Sequence, residues 1–383
     1  MPDRPHLPAL TGLRSVAALA VAFAHLPHLH AAESIPPVLR RFFAEGFLGV
    51  PFFFVLSGFV LAYTYGDRFP ALTRSGLAKY YTSRVARIGP VHWLTMAAAA
   101  FVPIPGAATN GGPQVLVTTA LLLQNWVLDS QYLQAYNPVS WSLSVEAWFY
   151  LWLPVLLWWL VRRNWSNRGL LLAACGAWLI AFALTRLAIA HPTLRREWFV
   201  VLCPAGRFGE FFVGVALGLI YARSWNPDGK PRVAVWTAIE LTAVALAFGQ
   251  VYTSDRVSII LRQTVYYTPA MAFVVFAFAF RRGLVSRLLS GRAAVYLGEI
   301  SFSFYMVHAI VFASLAPLGW ADVAGPWGRA GIHLVAAGIV AGLVHRWFET
   351  PLRHWIANPR RSGHRFFRTD FFSGAILRSS IRR

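Results

Sequence analysis

Long apolar runs separated by short polar, basic connectors recur along the whole chain. Runs long enough to cross about 30 Å of hydrocarbon fall near residues 8–30, 46–66, 89–105, 141–162, 169–190, 204–223, 233–252, 264–281, 294–316 and 329–348. The pattern predicts about ten transmembrane helices, of which the third is the weakest. Residues 114–128 are shorter and polar-flanked, and read as a re-entrant or surface helix. No repeat of 20 to 50 residues is visible, and nothing suggests the inverted halves of a transporter.

Composition agrees with the pattern. Of 383 residues, 57% are hydrophobic and 13% charged, far from a soluble domain of this size. The expected fold is therefore an all-α polytopic membrane helix bundle. Its first apolar run is long and has no small-residue cleavage site, so it is expected to stay as a helix. The net charge of +20 would suggest nucleic acid in a soluble protein. Here Lys and Arg gather in alternate loops such as RRNWSNR (162–168) and RRGLVSRLLSGR (281–292) and in the tail. That distribution makes nucleic acid no partner and, by the positive-inside rule, predicts both termini in the cytoplasm. The chain divides into a membrane domain, 1–356, and a basic tail, 357–383, expected to lie on anionic inner-leaflet lipid. Cys175 and Cys203 are too few for a disulfide framework and are expected to be packing residues.

Polar groups inside the membrane narrow the reading, because each is costly there. Arg14 and His25 lie eleven residues apart, which turns a helix to within roughly 20° of three full turns and advances it about 16 Å. They share one face, an arrangement suited to an elongated ligand with an anionic head and a reactive far end. In the plainer reading Arg14 snorkels and His25 bonds a neighbouring helix. Ser142, Glu146 and Tyr150 follow at i, i+4 and i+8 on one stripe, where Glu146 either orients His25, binds an acceptor hydroxyl, or makes a structural bond between helices. In FLGVPFFFVLSGF, Gly49 and Gly58 permit close helix approach, and Ser57 as a nucleophile needs an adjacent base. Arg84 and Arg87 share a face just before a helix expected to begin near Pro90. Glu349 and Arg353 have i, i+4 spacing for a pair, Arg207 and Glu210 read as an ion pair at an outer helix end, and His308 sits mid-span in a core bond or in chemistry. The spacing of His25, His28 and His30 around Pro27 is a poor metal-ligand set, so no metal is expected.

Six motifs, LTGLRSVAALAVAFAH, GVPFFFVLSGF, RVARIGPVHW, WSLSVEAWFYL, ISFSFYMVH and FETP, taken in this order over nearly the whole chain, resemble the bacterial acyltransferase-3 family. Members are integral-membrane O-acyltransferases that modify polysaccharides, lipopolysaccharide, peptidoglycan, Nod factors and some antibiotics. The sequence departs from the family pattern at Pro51, His92 and Ala147, and resembles the stand-alone form without a fused extracytoplasmic hydrolase-like domain. The resemblance implies a bacterial inner-membrane enzyme with acyl-CoA as donor, acetyl being the family's commonest cargo. The acceptor would be a carbohydrate hydroxyl on a cell-surface or exported glycan or glycolipid, with no cofactor permanently bound. Arg14, Arg84 and Arg87 would hold the donor phosphates. His25 would act as general base or transient acyl carrier, with Glu146 fixing its tautomer and Ser57, Ser142, Tyr150 and His308 in support. A transporter or flippase of a lipid-linked sugar or small acid, and a partner-binding membrane component, are the competing readings.

Overall fold

A computed structural model describes residues 5–357, except 67, 70, 109–110, 225–231 and 320–324. All but the first residue of the expected basic tail lie outside the described residues. Among those described there is no β-strand, and ten helices follow the apolar runs: α1 (Pro8–Ala24), α2 (Gly49–Tyr65), α3 (Arg74–Ala99), α4 (Trp141–Arg162), α5 (Asn167–Ala190), α6 (Phe208–Ser224), α7 (Val233–Tyr252), α8 (Thr268–Ala279), α9 (Arg292–Leu315) and α10 (Gly325–Val344). Seven of them, α2, α4, α5 and α7 to α10 with their helical extensions, are long and apolar enough to cross a membrane. The protein is an all-α polytopic membrane bundle. A short helix, Pro113–Ala120, occupies the stretch read as re-entrant or superficial.

Two helix ends differ from the expectation, each for a local reason. Helix α1 stops at Ala24, because Pro27 has no N–H to offer and pushes Leu26 out of helical geometry (φ −112°, ψ 76°). His25 thus becomes the residue that closes the helix. Helix α3 begins at Arg74, where the Thr73 hydroxyl accepts the Gly76 N–H at 3.2 Å. It runs straight through Pro90, so Arg84 and Arg87 lie within the helix instead of before it. Arginines and a lysine along residues 74–87 hide this first half from a hydropathy reading, and membrane helices tolerate an internal proline when neighbours re-satisfy the backbone.

Helix packing depends on missing side chains. Helices α2 and α6 meet so closely that a Cβ on Gly58 would lie 2.1 Å from the Phe211 carbonyl oxygen, and one on Gly214 would lie 2.0 Å from that of Val55. This bears out the packing role of the GVPFFFVLSGF glycines. Helices α1 and α9 run parallel, with Thr11 against Gly298 near one end and His25 against His308 near the other. A Cβ on Gly298 would sit 1.8 Å from the Thr11 carbonyl oxygen. Peripheral α5 is mostly exposed, and this corrects the reading of Cys175, which is exposed there, while Cys203 is buried.

Gly298→Val drives side-chain carbon into the Thr11 carbonyl and forces α1 and α9 apart. It is expected to abolish recovery of monodisperse protein from detergent extracts, whereas Gly331→Val, with open space around it, leaves the yield unchanged.

Candidate active site

Five helices, α1, α2, α3, α4 and α9, enclose a cavity of about 170 Å³ whose walls carry Arg14, Ser57, Arg84, Arg87, Ser142, Glu146 and Tyr150. The structure therefore brings seven of the nine residues singled out from sequence to one space. Its remaining walls are apolar, formed by residues such as Val50, Phe54, Leu61 and Ile88. A second recess of about 340 Å³ shares Arg14, Leu56 and Val60 with the first and opens between the start of α1 and the end of α2, beside Pro5, His6 and Thr64.

The arginines are held in three ways. The Arg84 guanidinium stacks among the rings of Tyr65, Tyr80 and Tyr150, at 5.6, 5.9 and 5.6 Å from their centroids. Arg87 forms an ion pair with Glu349, which also accepts from Ser303 Oγ at 2.7 Å and pairs with His345 Nδ1 at 3.0 Å. Glu349 ends a π-helical stretch, His345–Glu349, at the foot of α10, an irregularity that often marks functional sites. The expected partner of Glu349, Arg353, is displaced because Arg87 reaches the carboxylate first from α3. Arg14 lines both spaces and has no hydrogen bond or ion pair with any described residue. Its electrostatic neighbours are Arg87, which repels it, and Glu146, Glu349 and Tyr150, which attract it.

In the α4 wall of the cavity, beside Arg84, the stripe behaves as its spacing predicts. Tyr150 donates to Glu146 Oε1, and Ser57 Oγ from α2 donates to the same oxygen at 3.0 Å. Glu146 is therefore not directed at His25. The ring of His25 is held by α1 itself: its Nδ1 lies 2.9 Å from the carbonyl oxygen of Val21. A carbonyl can only accept, so Nδ1 carries the hydrogen and Nε2 keeps its lone pair. Val21 is free to accept because it is among the last carbonyls of a helix, which have no partner within it, and the His25 amide turns to Ala22 instead. The backbone thus does what was expected of the Glu146 carboxylate.

His25 is exposed and is absent from the cavity wall, which on α1 includes Arg14, three turns away, and on α9 reaches Tyr305, about one turn from His308. There the rings of Phe53 and Tyr305 stand 6.4 Å apart, and the Tyr305 hydroxyl meets Ser142 Oγ at 2.8 Å and the Val139 carbonyl at 2.9 Å. His308, buried, lies next to His25 with ring centroids 4.9 Å apart. Arg207 and Glu210 form the expected pair, as a buried fork of 2.8 and 3.0 Å bonds away from the cavity. Of the positions that depart from the family pattern, Pro51 is buried in α2, His92 bonds the Thr119 carbonyl at 2.9 Å, and Ala147 packs on the core. Sequence reasoning missed Tyr65, Tyr80, Ser303, Tyr305 and His345. Only Tyr80 left a signal, its i, i+4 spacing to Arg84.

An arginine-rich cavity inside a membrane bundle, with a hydroxyl–carboxylate–hydroxyl set in its wall and an accessible imidazole just beyond, is the equipment of a membrane-embedded transfer enzyme. The acyltransferase-3 family, described as an acyltransferase domain, matches residues 7–346, and the chain belongs to it. It is similar to the acyltransferase MdmB of Streptomyces mycarofaciens, at 30% identity over 94% of this chain and 95% of that one. It is also similar to the peptidoglycan O-acetyltransferase OatA of Listeria monocytogenes, at 21% identity over 92% of this chain and 56% of the other. This chain spans just over half of that relative. No solved structure matches the chain. The protein is a membrane O-acyltransferase.

Glu349→Ala leaves Arg87 without its carboxylate and is expected to cost about 3–5 kcal/mol of stability. Arg14→Gln, which breaks no bond to protein, is expected to cost less than about 1 kcal/mol. Unfolding of the purified variants in detergent checks both.

Proposed function

We propose that the protein transfers an acyl group, acetyl in the first instance, from acyl-CoA at the cytoplasmic face to a hydroxyl of a cell-surface or exported carbohydrate. Both termini are in the cytoplasm of a bacterial cell in this reading, and the enzyme lies in the inner membrane. The observation that carries it is the unpaired Arg14 at the junction of the two spaces. A cation kept in a membrane bundle without a protein partner is costly, and a phosphate of the donor would supply the missing charge. The opening beside His6 and Thr64 then takes the nucleotide end, and Arg84 and Arg87 complete the anion-binding side.

The acyl end advances along the apolar part of the cavity toward Tyr305 and must pass the Phe53 and Tyr305 rings to reach His25. The His25 Nε2 lone pair takes the acceptor's hydroxyl proton as the new C–O bond forms, and returns it to sulfur as the C–S bond breaks. The products are an ester and free thiol. His25 closes α1, and the C-terminal carbonyls of a helix favour the positive charge the ring acquires. Glu146, with Ser57 and Tyr150 on one oxygen, keeps its second oxygen to receive a hydroxyl or amide of the donor arm. The name of the peptidoglycan-modifying relative supports a glycan acceptor, and the regiochemistry belongs to the acceptor.

His25→Ala is expected to remove the ester-linked acyl group from surface glycans when it replaces the intact gene in a deletion strain, as read by mass spectrometry. Protein level in the membrane should be unchanged. Arg14→Gln is expected to raise the donor KM about tenfold to a hundredfold, the worth of one charge-assisted hydrogen bond. Full acylation in the His25→Ala strain contradicts the assignment.

A further inference from the structure

The buried ring of His308 lies outside this scheme. His308, on α9, is completely buried, and its Nδ1 stands 2.6 Å from the Tyr305 carbonyl oxygen. Because the carbonyl only accepts, the hydrogen resides on Nδ1 and the lone pair on Nε2. That Nε2 has no hydrogen-bond partner among the described residues. Natural interiors rarely leave such an acceptor unmatched, and where they do it calls for an explanation.

The neighbours of His308 supply one. Four rings pack on it: those of Phe304, Tyr305, Phe312 and His25, with centroids at 6.2, 5.8, 5.6 and 4.9 Å. His25 is the nearest, its plane inclined at 72°, and it is the one that becomes cationic during transfer. We propose that His308 is a positioning residue for the reaction: with its tautomer fixed by Tyr305, its unmatched Nε2 lone pair stabilises the positive charge that develops on the neighbouring His25 ring. This rests on the reading of His25 as proton acceptor. His308 takes up no proton at any stage: the hydroxyl proton goes to His25 Nε2 and from there to the thiolate. Its contribution is electrostatic, and it is paid for in the resting enzyme by the unmatched acceptor.

The titratable groups facing His25 are His308 on α9 and His30 on the short helix Pro27–Ala31. His30 Nε2 is tied to the Phe23 carbonyl at 3.1 Å. Glu45, on the segment packed against α1, is taken by Arg262 and by the Tyr267 hydroxyl. Arg40, Arg41 and Arg287 are on other segments packed against α1, and Arg41 is held by Asp255. His333 and His28 adjoin the cluster through Phe312.

The test is a pH profile of acyl transfer by the full-length protein in proteoliposomes, with acetyl-CoA as donor and a soluble oligosaccharide of peptidoglycan as acceptor. His308→Asn retains a donor for the Tyr305 carbonyl but has no atom at the Nε2 position, whereas His308→Gln restores an acceptor there. In H308N, kcat is expected to fall about tenfold to a hundredfold with the donor KM within about twofold. The acid limb should move to lower pH by about one unit, since the protonated His25 ring has lost a favourable neighbour. H308Q should recover most of both. An acid limb that stays in place in H308N, or equal losses in H308N and H308Q, overturns the inference. If H308N does not fold, His308→Phe, which suits the Phe304 and Phe312 packing, is read against H308Q by the same criterion. His25→Ala separates the two readings: activity without His25 defeats the base assignment itself, while an inactive His25→Ala beside an unshifted H308N defeats only the role of His308.

Discussion

Helix α1 lies against α9 with nothing but a hydrogen atom between Gly298 and the Thr11 carbonyl, and the site depends on that closeness. Running parallel, the two helices hold Arg14 beside the central cavity at one level and set His25 against His308 at another. The same contact allows Ser301, Phe302 and Tyr305 of α9 to form the wall that α1 faces. A bulkier residue at either helix would separate the cation from the chemistry it serves. In a membrane, where apolar side chains gain nothing from leaving lipid for protein, such backbone proximity is a principal source of helix association.

Hydrocarbon imposes a second constraint, which sorts the charges into two kinds. Glu349 gathers Arg87, Ser303 and His345 from three elements. The Arg207–Glu210 fork and the Glu45–Arg262–Tyr267 cluster are likewise closed on themselves. Glu240 is buried in α7 and accepts the Gly283 and Ser286 amides at 3.0 and 3.1 Å, capping the short helix Leu284–Leu289. These groups hold the bundle together. Arg14 and the Nε2 atoms of His25 and His308 have no hydrogen-bond partner among the described residues, and all three lie along the α1–α9 seam.

Much of this was legible in the chain. Hydropathy located the helices of the bundle, seven of which are long and apolar enough to cross a membrane, because a span needs an uninterrupted apolar run. Helical geometry put Ser142, Glu146 and Tyr150 on one stripe, and they do share the cavity. The errors have physical causes. Helix α3 was cut short because its first half carries basic residues, two of which, Arg84 and Arg87, line the cavity, and their charge erased the hydropathy signal. Glu349 was matched to Arg353 by spacing, which sees only one helix, while Arg87 comes from another. Glu146 was assigned to His25 by depth in the membrane. Depth says nothing of azimuth, and the Val21 carbonyl was available because Pro27 ends α1 early. Aromatic support for Arg84 and the Tyr305 closure are products of tertiary packing and left almost no trace in sequence.

The central claim is that a donor spans from the unpaired Arg14 to the free nitrogen of His25 along the seam of α1 and α9. The most direct measurement is an experimental structure of the protein in a lipid nanodisc with a non-hydrolysable acyl-CoA thioether. The account predicts phosphate density within hydrogen-bonding distance of Arg14, the Phe53 and Tyr305 rings parted around the pantetheine arm, and the sulfur beside His25 Nε2. Density ending below Tyr305 with His25 turned to lipid, or a donor bound away from Arg14, would contradict it.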